Sequence, residues 1–207
     1  MIKKILLLVL ALIITYPAVA QKVSRKEKKI LNSVASNNSE ALQFLEKVVN
    51  INSGTLNLEG VREVGKVFGE AFEEIGFTST WIPLPEEMNR SGHLFAETEG
   101  TKGKKLLLIG HLDTVFEKDS PFQKFERVND TLAHAPGGND MKGGDVVVLF
   151  ALKALYENGL LGDAQIIVAF TGDEESTGKP LSVSRKDPVS YTHLTLPTIT
   201  SGCRSGW

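Results

Sequence analysis

Two unbroken apolar runs, Leu106–Ile109 and Ile166–Phe170, constrain this chain more than any other feature. Neither alternates polar with apolar, so each is expected to be a strand buried on both faces. Between them, the stretch from about Lys142 to Asn158 carries helical spacing and is closed by Gly159. Strand, helix and strand in that order predict a parallel pair joined by a crossover helix, within an α/β layered fold.

The upstream segment fits such a layer. From Glu40 the chain reads as a helix with Ala41, Leu42, Leu45, Val48 and Val49 on one face. A second helix places Val61, Val64, Phe68, Phe72 and Ile75 together and stops at Gly76. Short strands are expected at Thr78–Ile82 and His93–Glu97, and a hairpin at Phe122–Val128 and Thr131–His134, turning at Asn129-Asp130.

The two ends read differently. Lys3 and Lys4 precede an apolar run from Ile5 to Ile14, and Ala18-Val19-Ala20 supplies small residues at a cleavage site. Residues 1–20 are therefore expected to be a secretory signal peptide, and the protein secreted or periplasmic. A ten-residue helix rises only about 15 Å. No stable membrane span is expected once the signal is cleaved, because a bilayer core is about 30 Å thick. The basic segment Lys22–Lys29 is expected to be a solvated leader ahead of the first helix. Residues 188–207 carry no acid, lack any helical period and read like translated sequencing adapter, so a non-native tail is expected there. The lone Cys203 and His193 fall in that tail and are given no functional weight. Residues 21–187 then form the domain. The formal net charge of −2 gives no reason to expect a nucleic-acid partner.

Three motifs carry chemistry. Gly110-His111-Leu112-Asp113 follows the first apolar strand, where an imidazole and a carboxylate two residues on face the same way. A zinc-binding histidine needs such a partner to hold its second nitrogen. Gly137-Gly138-Asn139-Asp140-Met141-Lys142 leads into the crossover helix, and Asp140 there reads equally as a helix N-cap. Asp173-Glu174-Glu175 follows the second strand, where three acids repel one another unless solvent or a cation offsets the charge. Taken singly, each motif has an ordinary structural explanation. Together, two of them lie at the carboxyl ends of adjacent strands, where open α/β sheets place their ligand sites.

In that order the motifs resemble the aminoacylase and glutamate-carboxypeptidase family of two-zinc exopeptidases, most nearly the carboxypeptidase G type, over about residues 40–187. The resemblance implies a zinc-exopeptidase-like α/β catalytic domain with a mostly parallel sheet and flanking helices. It also implies that this chain is a truncated form lacking the smaller dimerisation domain. By the same resemblance His111, Asp140 and Glu175 bind metal, with Asp140 bridging two Zn2+ ions for which Co2+ or Mn2+ can substitute. Glu174 becomes the general base, Asp113 the group that orients His111, and Asp173 a structural acid. The implied substrate is a small peptide or N-acyl amino acid, cleaved beside a free carboxylate, and the implied full-length parent is a homodimer. A deacylase or dipeptidase of the same family, or a non-catalytic amino-acid-binding protein, are the alternatives. Because further family ligands are missing, this chain alone is expected to be inactive and poorly folded.

Overall fold

The computed structural model describes residues 23–187, so the expected signal peptide at 1–20 and the expected tail at 188–207 lie outside the described residues. Helix α1 spans Arg25–Val49, α2 Leu58–Glu74, α3 Gly143–Glu157 and α4 Leu181–Ser184. The strands are β1 (Thr78–Pro83), β2 (Gly92–Glu97), β3 (Lys102–His111), β4 (Glu126–Arg127), β5 (Ala133–His134) and β6 (Ala164–Thr171).

The first helix begins far earlier than the apolar pattern indicates. Ser24 accepts the Glu27 amide on its hydroxyl, while its own amide donates to the Glu27 carboxylate at 2.6 Å. This reciprocal capping box starts the helix within the basic segment, which corrects its expected place ahead of the first helix, while residues 23–29 are exposed as expected. Contacts to α3 then hold α1: Asn37 donates to Glu157, Lys153 to Glu40, and Asn158 to Ser33. The expected apolar face holds at Val48 and Val49 but not at Leu42, which is 44% exposed.

All five predicted face residues of α2 are buried. They pack on the sheet through Leu94, Ala96, Val168 and Phe170, with the Phe68 ring edge-on to Phe170 at 5.4 Å between centroids. Full burial of each such side chain stabilises the fold by roughly 1.5–3 kcal/mol. Helix α2 is thus fixed over one face of the sheet.

The sheet order is β1-β2-β6-β3. Its one parallel pair is β3 with β6, while β2 runs antiparallel to both β1 and β6. A mostly parallel sheet is therefore corrected to a mixed one, since only the β3-α3-β6 unit contains the crossover that parallel pairing requires. The two-sided burial expected of Leu106–Ile109 is also corrected. Among the described residues β3 is an edge strand, leaving Leu106 49% and Ile109 58% exposed. By contrast, Ile166–Phe170 is buried throughout, as expected. The predicted hairpin forms, but only as the short β4–β5 pair, Glu126 opposite His134. No helix among the described residues is long and apolar enough to cross a membrane.

Candidate metal centre

Parallel pairing of β3 with β6 sets His111 directly opposite Thr171 at the carboxyl ends of the two strands. The pairing continues one step past the sheet, where the Leu112 amide donates to the Thr171 carbonyl at 2.7 Å. Two motifs 61 residues apart thereby meet. The Asp113 carboxylate accepts the backbone amides of Glu174 and Glu175, each at 3.0 Å, and the Thr55 hydroxyl at 2.7 Å. Asp113 has no exposed surface. Its oxygens thus cross-link the histidine motif to the acidic turn.

Burial pushes the Asp113 carboxyl upward. The His111 imidazole, the Thr55 hydroxyl and the two amides outweigh that effect and hold it below the ordinary aspartate value. His111 Nδ1 lies 3.0 Å from the Asp113 backbone carbonyl and 3.5 Å from its carboxylate. Flanked by two acceptors, Nδ1 carries a proton, and Nε2 is turned toward the open side of the site. Burial lowers the His111 pKa, but Asp113 and Asp140 more than reverse this and raise it to about 9. A cation bound at Nε2 must displace the second ring proton, while Nδ1 keeps its own.

Asp140 approaches from the opposite side. Its Oδ1 lies 3.0 Å from His111 Nε2, while 75% of its side chain stays exposed. The N-cap alternative is excluded. Helix α3 starts at Gly143 after Lys142, and Asp140 has an extended, non-helical backbone within the turn Gly138–Lys142. That turn begins at Gly137, which has φ +67° and packs so closely that a Cβ would lie 2.3 Å from Thr114 Cγ2. Only glycine meets both demands.

Ligand atoms of His111, Glu174 and Glu175 all lie within 4.8 Å of one another, a spacing compatible with a shared cation. The expected metal trio was His111, Asp140 and Glu175. The structure brings Glu174 into the same cluster and pairs Asp140 with His111. Glu174 is 58% exposed at its side chain, with Oε2 3.9 Å from His111 Nε2. Burial, followed by the charges of Asp140, Glu174 and Asp113, raises the Glu175 pKa against the opposing pull of His111. A cation at this position relieves that repulsion. The donor set, one imidazole and three carboxylates, suits zinc or a similar divalent ion.

Asp173 is structural, as expected. It is buried, accepts the Gly178 amide at 2.9 Å and pairs with Arg185 at 2.5 Å. His93 is also buried within the fold. Its Nδ1 accepts the Gly172 amide and its Nε2 donates to the Ser184 carbonyl, outside the cluster.

Three residues with a stake in the site have no role assigned by the motifs. Thr55 supports Asp113 from 58 residues away, a contact without local sequence signal. Lys142 is 1% exposed. Burial lowers its pKa to about 7, opposed by the charge of Asp145. Asp145 is fully buried beside Gly110, where a Cβ would lie 2.1 Å from Asp145 Oδ1. Neither Asp145 oxygen has a hydrogen-bond partner among the described residues. Its carboxyl is raised well above the aspartate range by burial, against the charges of His111 and Lys142.

Residues 107–204 match peptidase family M20/M25/M40, a span that runs on across the expected tail. Carboxypeptidase G2 of Pseudomonas sp. (strain RS-16) is 34% identical over 154 residues, covering 74% of this chain and 37% of that enzyme. Human carnosine dipeptidase 1 shares the fold with a TM-score of 0.66 at 18% identity, covering 79% of this chain and 37% of its own. An M20 family metallo-carboxypeptidase from Sulfolobus solfataricus matches with a TM-score of 0.59 at 22% identity, over 74% of this chain and 34% of its own. The chain therefore spans little more than a third of the length of these relatives.

Proposed function

We propose that this chain, whose residues 107–204 match peptidase family M20/M25/M40, belongs to that family and supplies part of the catalytic domain of an exported two-zinc exopeptidase. His111 would hold one zinc and Glu175 the other, with Asp140 as the carboxylate they would share. The observation that carries this proposal is the convergence of His111, Glu174 and Glu175 within 4.8 Å, with Asp140 on His111 from the far side.

Bound zinc supplies Lewis acidity toward a carbonyl oxygen and lowers the pKa of water. The protein's own contribution is positional. Asp113 fixes the tautomer of His111 and, through the amides of Glu174 and Glu175, fixes where both carboxylates begin. Glu174, free at its exposed end, takes a proton from the attacking water and returns it to the leaving amine. The substrate class is a small peptide or N-acyl amino acid with a free carboxylate. C-terminal glutamate is the favoured side chain, supported by the 34% identity to carboxypeptidase G2.

In this proposal residues 1–20 export the protein and residues 21–187 carry the site. A full-length parent dimerises through a smaller domain, and the 207-residue chain alone does not turn over. In the full-length enzyme, Glu174→Gln leaves zinc in place and lowers kcat on acyl-glutamate substrates by ~10²–10⁴-fold. A near-normal kcat in that variant removes Glu174 as the base. Loss of zinc instead makes it a ligand.

A further inference from the structure

The loop that carries Asp140 has a feature that its motif does not explain, a lysine turned inward. Lys142 lies two residues beyond Asp140, yet it is 1% exposed, and its Nζ donates to the carbonyls of Val48 and Ile51, each at 2.8 Å. Helix α1 ends at Val49. The last carbonyls of a helix have no partner within it, and they form the negative end of its dipole. The side chain of Lys142 thus joins the last turn of α1, at Val48, to Ile51 just beyond the helix, more than 90 residues earlier in the chain.

We propose that Lys142 is the positioning residue of this loop, tethering it to the end of α1 so that Asp140 stays against His111. This inference rests on the metal assignment made above. Asp140 and Met141 are the two non-helical residues between the left-handed Gly137 and the start of α3. The Lys142 amide holds the near end of the turn by donating to the Gly137 carbonyl at 2.9 Å, and its side chain holds the far end. Little else restrains Asp140, whose side chain is mostly in solvent. The tether does not depend on charge, since an ammonium has three N–H donors and an amine two, and two are used.

The test uses the full-length enzyme with Lys142→Met, which keeps the length and apolar stem of the side chain but has no donor. Val48→Ala serves as a control, because it destabilises the same helix end by removing core contact while leaving the carbonyl. Two readouts are taken: amide hydrogen exchange of residues 136–144 without metal, and visible-band titration with Co2+. Lys142→Met is expected to speed exchange in that loop by at least tenfold and to weaken Co2+ binding by at least tenfold, with altered bands. Val48→Ala is expected to change both by less than threefold at a temperature where it is folded. Lys142→Gln, which restores N–H donors on a shorter stem, is expected to fall between and serves as the test if the methionine variant does not fold. Wild-type exchange and Co2+ binding in both Lys142 variants overturn the proposal, as does an equal loss in Val48→Ala. Faster exchange with unchanged Co2+ binding also overturns it, since Asp140 would then be placed without the tether. A wild-type chain that takes up no Co2+ contradicts the metal assignment instead, and loop exchange then decides the fate of the Lys142 tether.

Discussion

The two walls of this site are built by different means. The strand-end wall (His111, Asp113, Glu174 and Glu175) is fixed by β3–β6 register and by one buried carboxylate that accepts three hydrogen bonds. The loop wall is a single turn that contributes Asp140 and is anchored by Gly137 and Lys142. In the first wall the groups that shape the site also hold the fold together. In the second they are separable, because Asp140 itself contributes little to packing. A centre with one side built into the sheet and the other on a separate turn can admit a metal ion without disturbing the sheet.

The largest effect that separates the walls is expected on stability. Asp113→Ala leaves the Glu174 and Glu175 amides and the Thr55 hydroxyl without their acceptor. Unsatisfied buried donors cost ~1–3 kcal/mol each, so a loss of about 3 kcal/mol is expected in urea unfolding of the metal-free chain. A loss under about 0.5 kcal/mol, typical of surface changes, would show that the strand-end wall is not cross-linked through Asp113.

A smaller, pH-dependent effect arises where the walls meet on His111. Its pKa is raised from 6.5 to about 9 in the metal-free fold. The corresponding stabilisation is fully present below 6.5, and it is lost as pH rises through about 9. Asp140→Ala removes one of the raising groups, so the upper edge of that window moves down. Titration of the His111 ring by NMR measures both midpoints. Identical midpoints in wild type and Asp140→Ala would mean that the loop wall does not reach the histidine.

Much of this architecture was legible because it is local. The α2 face from Val61 to Ile75 repeats at helical spacing, and each of its five residues is buried. The three motifs were placed by the strand-helix-strand order, at the ends of β3 and β6 and ahead of α3. What could not be read is long-range. Nothing near Leu106 tells a central strand from an edge strand, because that depends on what pairs alongside it. Likewise, the antiparallel pairing of β2 beside β6 joins residues 70 to 78 positions apart. The partners of Lys142 lie 91 and 94 residues away. The early start of α1 is a different case, since Ser24-x-x-Glu27 is a local capping signal that the apolar pattern alone overlooks.

The most direct test of a two-walled metal centre is the zinc isotherm of Asp140→Ala beside wild type, measured by equilibrium dialysis with thermal unfolding of the metal-free proteins. Zinc binding is expected to weaken at least ~10-fold, the range that loss of a group supporting a metal produces, with the melting temperature nearly unchanged because the side chain is 75% exposed. Wild-type zinc affinity in a folded Asp140→Ala protein would contradict it, leaving the loop as a bystander to a site made by the strand ends alone.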